Sequence, residues 1–559
     1  MKTPLARLTT AITAILLVAS ACGGTAATVA PTAVPATAAP ATSVPVTAVP
    51  ATVAPVTAVP ATVAPATAVP PTTAPTEPPA PTETPAESAA PEPSVTPAPT
   101  IDVIQPPDVG NATLIRWYCC LGAGDAPVQA AAEKKVVDAF NSTHTDIKLS
   151  LEIVPYALAR DQLSVEIQSG NPPDIVGPVG FGGANAFGDQ WLDLTDLIAK
   201  NHYDLSQFQN GAVDFYKIGD KQIAIPFAIY PSSLYYLRDA FAEIGAAEPP
   251  HKYGEQYTVQ GDAADAAFGV ADGTQVPWNY DTVNTLAKLL TVDKNGKDAT
   301  DPGFDPTQIT TWGFEPQRDD LRGLGAYWGA GQLEGADGKT VQIPAAWATA
   351  WKFFYNQIWT DHTAMDYSTY VSTDINPGGY PFCSGKAAMA ENFLWSNYCT
   401  GGAGDNWDIA AIPENDGTAT AAFNADTFRI EKQTKHPDEA FQVLAYLLSG
   451  DVAKSLLQTY GAMPAREEQQ SAFFDDLTKN LADPNGNPIT MKAPIDWQVA
   501  IDSVAKADNP NFESPMPKYN ESLDLITTYG TKWTSTGGLN MDAEITQMQA
   551  DLQAIWNKP

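Results

Sequence analysis

The chain has 559 residues, of which 31 are Lys or Arg and 64 are Asp or Glu, for a formal net charge of −33 at pH 7. A surface that acidic repels nucleic acid and anionic lipid headgroups, so neither is expected as a partner. With five histidines scattered singly, and with neither H-E-x-x-H nor G-x-S-x-G in the chain, metalloprotease and serine-hydrolase chemistry have no support.

Taken in chain order, residues 1–22 read as an export signal. Lys2 and Arg7 precede the apolar run "AITAILLVAS", which is too short to span a bilayer as a stable helix. Small residues, "ASAC", lead directly to Cys22. This resembles a bacterial lipobox, with Ala19 where Leu is usual, and implies lipidation at Cys22; the alternative is an ordinary cleaved signal. Residues 23–110 read as a disordered Ala/Thr/Pro-rich linker. Its repeats "ATVAPVTAVP" and "ATVAPATAVP" contain no aromatic residue, and no Lys or Arg occurs between Gly23 and Thr100. Such a segment buries too little apolar surface to offset the entropy of ordering. Its prolines favour an extended stalk of about 3.1 Å per residue, and its composition also allows O-linked sugars.

All thirteen tryptophans fall after residue 110, which marks a globular body too long for one core and suggests two domains. "ATLIRWY" (112–118) reads as a strand. Asp125 and Pro127 suggest the cap and first turn of a helix whose apolar face is Val128, Ala132, Val136 and Phe140. "IKLSLEIV" alternates as a second strand, "ARDQLSVEIQSG" as a helix stopped by Gly170, and "DIVGPVG" as a third strand. A βαβαβ order predicts a parallel sheet, with ligands bound beyond the carboxyl ends of its strands. Cys119, Cys120 and the loop from Pro178 to Gly183 fall on that edge.

Six further stretches carry a resemblance: "GNPPDIV" (170–176), "IAIPFAIYPSSLYYLRDAF" (223–241), "FCSGKAAMAENFLW" (382–395), "WDIAAIPENDG" (407–417), "FRIEKQTKHPDEAFQVLAYLLS" (428–449) and "YGAMPAREE" (460–468). In this order they resemble the extracellular solute-binding proteins of sugar ABC transporters, the family of maltose-binding protein. The resemblance implies an α/β, two-lobed periplasmic-binding-protein-like fold (class II). Its discontinuous lobes are expected at 111–229 with 412–458, and at 233–410 with 460–559, joined by crossings near Tyr230, Ala411 and Gly461. It also implies a monomer tethered to the outer face of the cell membrane. Such a protein captures a sugar or oligosaccharide by hinge closure and hands it to permease subunits, with no catalysis, cofactor or metal.

Sugar hydroxyls need carboxylates, amides or Arg, and sugar C–H faces need flat aromatic rings. The resemblance places Trp395 as a stacking residue and Tyr230 at the first crossing, where maltose-binding protein has a glutamate. It places Phe181 and Gly182 in a stacking loop, Asn424 and Asp426 in a hydroxyl-binding loop, and Glu315 and Trp328 on the second-lobe lip. Arg466 follows the third crossing. Asp174 is read as structural, accepting backbone N–H groups.

With Cys22 lipidated, four cysteines remain and three pairings are open. Given the implied lobes, Cys383 with Cys399 would flank Trp395. Cys119 with Cys120 would then make an apolar plate under the sugar, or remain as two thiols. The loop Asp293–Asp305 has oxygen ligands at calcium-like spacing but lacks the closing glutamate, so a solvated turn is expected. Two rivals stand beside the binding-protein reading: a secreted glycoside hydrolase, which needs two carboxylates roughly 5–10 Å apart, and a glycan-binding adhesin without transport.

Overall fold

The computed structural model describes residues 101–106, 108–208, 212–318, 321–329, 331–376, 380–507 and 516–559. The export signal, Cys22 and the linker as far as Thr100 lie outside the described residues.

The βαβαβ unit is present. The strand Thr113–Cys119 runs parallel to Ile147–Ile153 on one side and to Ile175–Val179 on the other. Helices Pro127–Thr143 and Tyr156–Gln168 make the two crossovers. In the first helix the buried face is Glu133, Val136, Val137 and Phe140, while Val128 is 68% exposed. The apolar stripe is therefore rotated from the one expected, with a carboxyl at its start. Asp125 is not the cap; its carboxylate accepts the N–H of Tyr156 at 2.9 Å, tying one crossover helix to the other. Within the segment read as linker, Asp102–Ile104 pairs antiparallel with Ile147–Ile153. The sheet thus begins before residue 111, because Val103 and Ile104 satisfy the backbone groups of an otherwise open edge.

Everything else is arranged around one long strand, Ala228–Leu237. Its first part pairs antiparallel with Phe423–Asp426 and with Met463–Pro464. Its second part pairs antiparallel with Ala387–Phe393 and with Trp407–Ala410. The change of partner falls at Pro231 and Ser232, opposite Phe423 and Phe393 respectively. A proline has no N–H for a ladder, so it is tolerated at such a break. On one side the sheet continues through Phe423–Ile430 into the βαβαβ unit. On the other it continues through Ala387–Phe393 into the parallel strand Ile309–Glu315. The result is a two-lobed α/β fold built, among the described residues, on one eleven-stranded sheet.

Local chemistry fixes the remaining elements. Asp174 accepts the N–H of Arg116 at 2.9 Å and the Thr434 hydroxyl at 2.5 Å, the structural role expected of it. In the loop Asp293–Asp305 the buried Asp293 carboxylate accepts the N–H groups of Asn295, Lys297 and Asp305, as a self-satisfied turn does. The C-terminal helix Met541–Trp556 buries Met541, Ile545, Met548, Leu552 and Trp556 at helical spacing and packs on the helix Tyr519–Ser535.

Cys383 and Cys399 form a disulfide across a sequence separation of 16. It encloses the single-turn segment Leu394–Tyr398. Closing a loop of that size restricts the unfolded chain by about 3 kcal/mol in the chain-entropy model. The variant Cys383→Ser should lose about that much stability, measured by denaturant unfolding without reductant; an unchanged midpoint would show that the bridge adds nothing.

Candidate functional site

A cleft of ≈ 1240 Å³ opens where the two halves of the sheet meet at the long strand. Pairing register determines which side chains enter it. Tyr230 lies opposite Asn424 in the antiparallel ladder, so the two share a face. Asp426, two residues along, falls on that face as well. Ala425 and Ile229, between them, turn into the core.

Asp426 is the buried carboxyl among the described residues lining the cleft. Its carboxylate fits between two glycine-bearing loops, and a Cβ at either Gly122 or Gly180 would collide with it. The N–H of Ala123 donates to it at 3.1 Å. Burial pushes its pKa up to about 6, against that hydrogen bond. Burial, with Asp426 nearby, holds the Tyr230 phenol well above its ordinary range.

The opposite wall is aromatic. Trp395 sits just past the end of the strand Ala387–Phe393. Its ring meets Tyr230 edge-on, with centroids 5.4 Å apart, and lies 4.3 Å from Phe393 at 30°. Its indole N–H donates to the Tyr380 hydroxyl at 3.1 Å, so the plane is fixed by packing on one side and a hydrogen bond at the edge. Phe181 and Gly182 open a short helix on the first-lobe wall.

Of the residues expected at the site, Phe181, Gly182, Tyr230, Trp395, Asn424 and Asp426 therefore come together around one cleft. Five do not. Cys119 and Cys120 form a vicinal disulfide, but both are fully buried. Gly124 covers them, with no room for a Cβ between its backbone and the two sulfurs and Glu133, so the expected plate under the ligand is absent. Glu315 is buried in an ion pair with Arg318 and accepts the N–H of Met365 at 3.3 Å. Trp328 stacks on Tyr280, centroids 4.2 Å apart, inside the second lobe. Arg466 donates to Gln207 at 2.9 Å and covers the Phe208 ring at 4.8 Å. Each of these satisfies a buried neighbour.

Other lining residues escaped the sequence reading. Arg322 and Tyr519 line the second-lobe side, 3.4 Å apart at Nη1 and the hydroxyl. Tyr460 lies one residue before the crossing at Gly461, and its hydroxyl donates to the buried Glu133 at 2.7 Å. The glycine-terminated helix ahead of that crossing was the signal for Tyr460; nothing local marks Tyr519.

Two of the contacts between the walls are weak. The Asn520 amide donates to the Ala186 carbonyl at 3.4 Å, and Arg160 stands 3.9 Å from Asp524. Exposed contacts of this kind contribute little, so they do not oppose opening. Among the described residues, the one cluster with metal-like spacing is Cys119, Cys120 and Glu133, and its sulfurs are already joined to each other.

Comparison with known proteins agrees with this architecture. Residues 135–482 match the model of a family described as bacterial extracellular solute-binding protein. A substrate-binding protein of an ABC transporter from Listeria monocytogenes, solved with cycloalternan, superposes with a TM-score of 0.58 at 18% identity, covering 80% of this chain and 100% of that one. A maltodextrin-binding domain from Bdellovibrio bacteriovorus, solved with maltotriose, gives 0.55 at 17%, again over 80% and 100%. A solute-binding protein from Thermotoga lettingae, solved with α-D-tagatose, gives 0.56 at 16% over the same shares.

Three buried carboxyls near the cleft should make stability depend on pH. Burial raises Glu133 to about 8 and Glu391 to about 7, in each case against a tyrosine hydroxyl that lowers it, and raises Asp426 to about 6. Because each folded-state pKa exceeds the ordinary value, folding takes up protons. The contribution is complete below about pH 4 and is lost as pH rises through 6 to 8. Thermal unfolding should therefore show a higher midpoint at pH 5 than at pH 8, and Glu133→Gln should flatten the slope between them. A midpoint that rises with pH over this range would contradict the assignment.

Proposed function

The chain belongs to the bacterial extracellular solute-binding protein family, a family of binding proteins rather than enzymes, and on that basis we propose that its cleft captures a neutral sugar and releases it to an ABC importer. The observation that carries this reading is a cleft that presents Tyr230, Asn424 and Asp426 on one face and Trp395 on the wall opposite. Flat rings supply the surface a sugar's C–H face needs, and a carboxyl and an amide supply partners for its hydroxyls. The sugar-bound neighbours support the same solute class.

Binding would act through the hinge. A ligand that touches both walls favours the closed arrangement by the difference between its contacts in the closed and open states. The lobes are proposed as 111–229 with 412–458 and 233–410 with 460–559, crossing near Tyr230, Ala411 and Gly461. Lipidation at Cys22 would then leave the segment from 23 to about 100 as a tether between the membrane and the folded body, which begins with the strand Asp102–Ile104.

The glycosidase alternative is disfavoured by the cleft's acids. Of the carboxyls lining the cleft, Asp426 is buried between backbone loops, Asp483 is half-buried, and Asp161 and Asp524 are exposed, which does not make the buried acid and base that hydrolysis uses. Thermal unfolding of the full chain against mono- and oligosaccharides tests the proposal. A sugar at a hundred times its dissociation constant should add about 2.7 kcal/mol and raise the midpoint by a few degrees. Chromatography should recover that sugar intact. The variant Trp395→Ala should weaken binding by about tenfold or more. Cleavage of the sugar would overturn the reading, as would stabilisation by no carbohydrate at all.

A further inference from the structure

The vicinal disulfide ends one residue before the cleft begins. Leu121, Gly122 and Ala123, which follow it directly, line the cleft, while Cys119, Cys120 and Glu133 are fully buried. Gly124 packs on all three, with no room for a Cβ against either sulfur or the Glu133 carboxyl. One short stretch of backbone therefore touches the disulfide on one side and the ligand space on the other.

Its two ends are held differently. The sheet fixes the first: the Cys119 carbonyl accepts the Val154 N–H at 2.9 Å, and the Leu121 carbonyl accepts that of Gly180 at 3.2 Å. Ala123 and Gly124 instead donate to side chains, to Asp426 at 3.1 Å and to Gln129 at 2.8 Å. On the far side of the sulfurs, Glu133 is fixed by the Tyr460 hydroxyl, which donates to its Oε1 at 2.7 Å. The other carboxyl oxygen, Oε2, is buried and has no hydrogen-bond partner among the described residues. The Cys119 sulfur stands 3.6 Å from Oε1. A disulfide sulfur has no hydrogen to give that carboxyl, whereas a thiol has one.

Bonded sulfurs lie about 2.05 Å apart, and unbonded ones need about 3.5 Å or more. A close-packed interior has no room to absorb that difference, so some neighbour must move. The strand resists through its ladder and Glu133 through Tyr460. The turn Gly122–Gly124, anchored through side chains, is the part that can give.

We propose that the Cys119–Cys120 bond is a redox-sensitive positioning element of the cleft. Joined, the sulfurs let Gly124 close over them and hold the Ala123 N–H on Asp426. Reduced, they push the turn outward and withdraw that N–H. Reduction by a dithiol breaks the S–S bond, takes up two electrons and two protons to leave two thiols, and converts the donor to its own disulfide. The new Cys119 thiol can donate to the Glu133 carboxyl, a hydrogen bond the oxidised state lacks. The effect on a bound sugar rests on the sugar-binding reading, in which Asp426 meets a hydroxyl. Displacement of the turn does not, and it is measured without ligand, so the two can fail separately.

Hydrogen exchange read by mass spectrometry tests it, on full-length protein carrying Cys383→Ser and Cys399→Ser, before and after dithiothreitol. Alkylation of Cys119 and Cys120 confirms the reduction, and the melting temperature checks that the variant folds. The Ala123 and Gly124 amides should exchange at least tenfold faster once reduced. The strands Ile147–Ile153 and Ala387–Phe393 should be unchanged, and reoxidation should restore the slow rate. The wild-type protein, with both bonds reduced, should show the same change at the turn. Unchanged exchange there with both cysteines alkylated would overturn the proposal. So would equal acceleration in Ile147–Ile153, the mark of a staple for the whole lobe, or cysteines that react only after the chain is unfolded.

Discussion

One strand carries both the architecture and the site. Ala228–Leu237 exchanges hydrogen bonds with four other strands, two on each side of Pro231. Because its first part belongs to one lobe's ladder and its second part to the other's, the lobes share a backbone segment. Relative motion must then be taken up in the few residues where pairing changes partners. Tyr230 is the residue immediately before that change, so a ligand touching it sits at the pivot. The cleft is there because the sheet divides there, and loops from both lobes overhang the division.

The chemistry of the cleft balances an aromatic wall against a desolvated carboxyl. Burying Asp426 without partners would cost more than a surface carboxylate could return, and the Ala123 N–H offsets only part of that cost. Glycines at 122 and 180 let backbone approach closely enough to keep water from it. In the proposed function a ligand's hydroxyls would supply further hydrogen bonds to Asp426, which would make its burial a source of selectivity for polar ligands. Deeper in the first lobe the same economy recurs, with Glu133 held by Tyr460 beside the vicinal disulfide. That pair ties the cleft lining to the core beneath the central strand.

Much of this was legible in the chain, and what was not has physical causes. Periodicities of two and 3.6 residues identify the βαβαβ unit because each element buries one face. The rotation that exposes Val128 and buries Glu133 goes with the contacts Glu133 makes to Cys119 and to the Tyr460 hydroxyl, the latter 327 residues away in sequence. Spacing allowed the Cys119–Cys120 bond but could not say which way the sulfurs point; Gly124 closes over them. Glu315, Trp328 and Arg466 have the chemistry of sugar ligands and are buried for that same chemistry, each satisfying a neighbour inside the protein. Asn424 and Asp426 were found through the family resemblance, which places them in a loop; they lie instead on the strand Phe423–Ile430, where residues two apart share a face. Tyr519 and Arg322 were missed because only tertiary folding brings the helix Tyr519–Ser535 to the cleft.

In the proposed function one ligand is gripped by both lobes at once, and hydrogen exchange read by mass spectrometry on the full chain, with and without a saturating neutral sugar, reads that grip. Exchange should slow together in the first-lobe segments around Leu121–Ala123 and Ala422–Asp426 and in the second-lobe segment around Phe393–Tyr398. Protection confined to one lobe, with the sugar demonstrably bound, would contradict it.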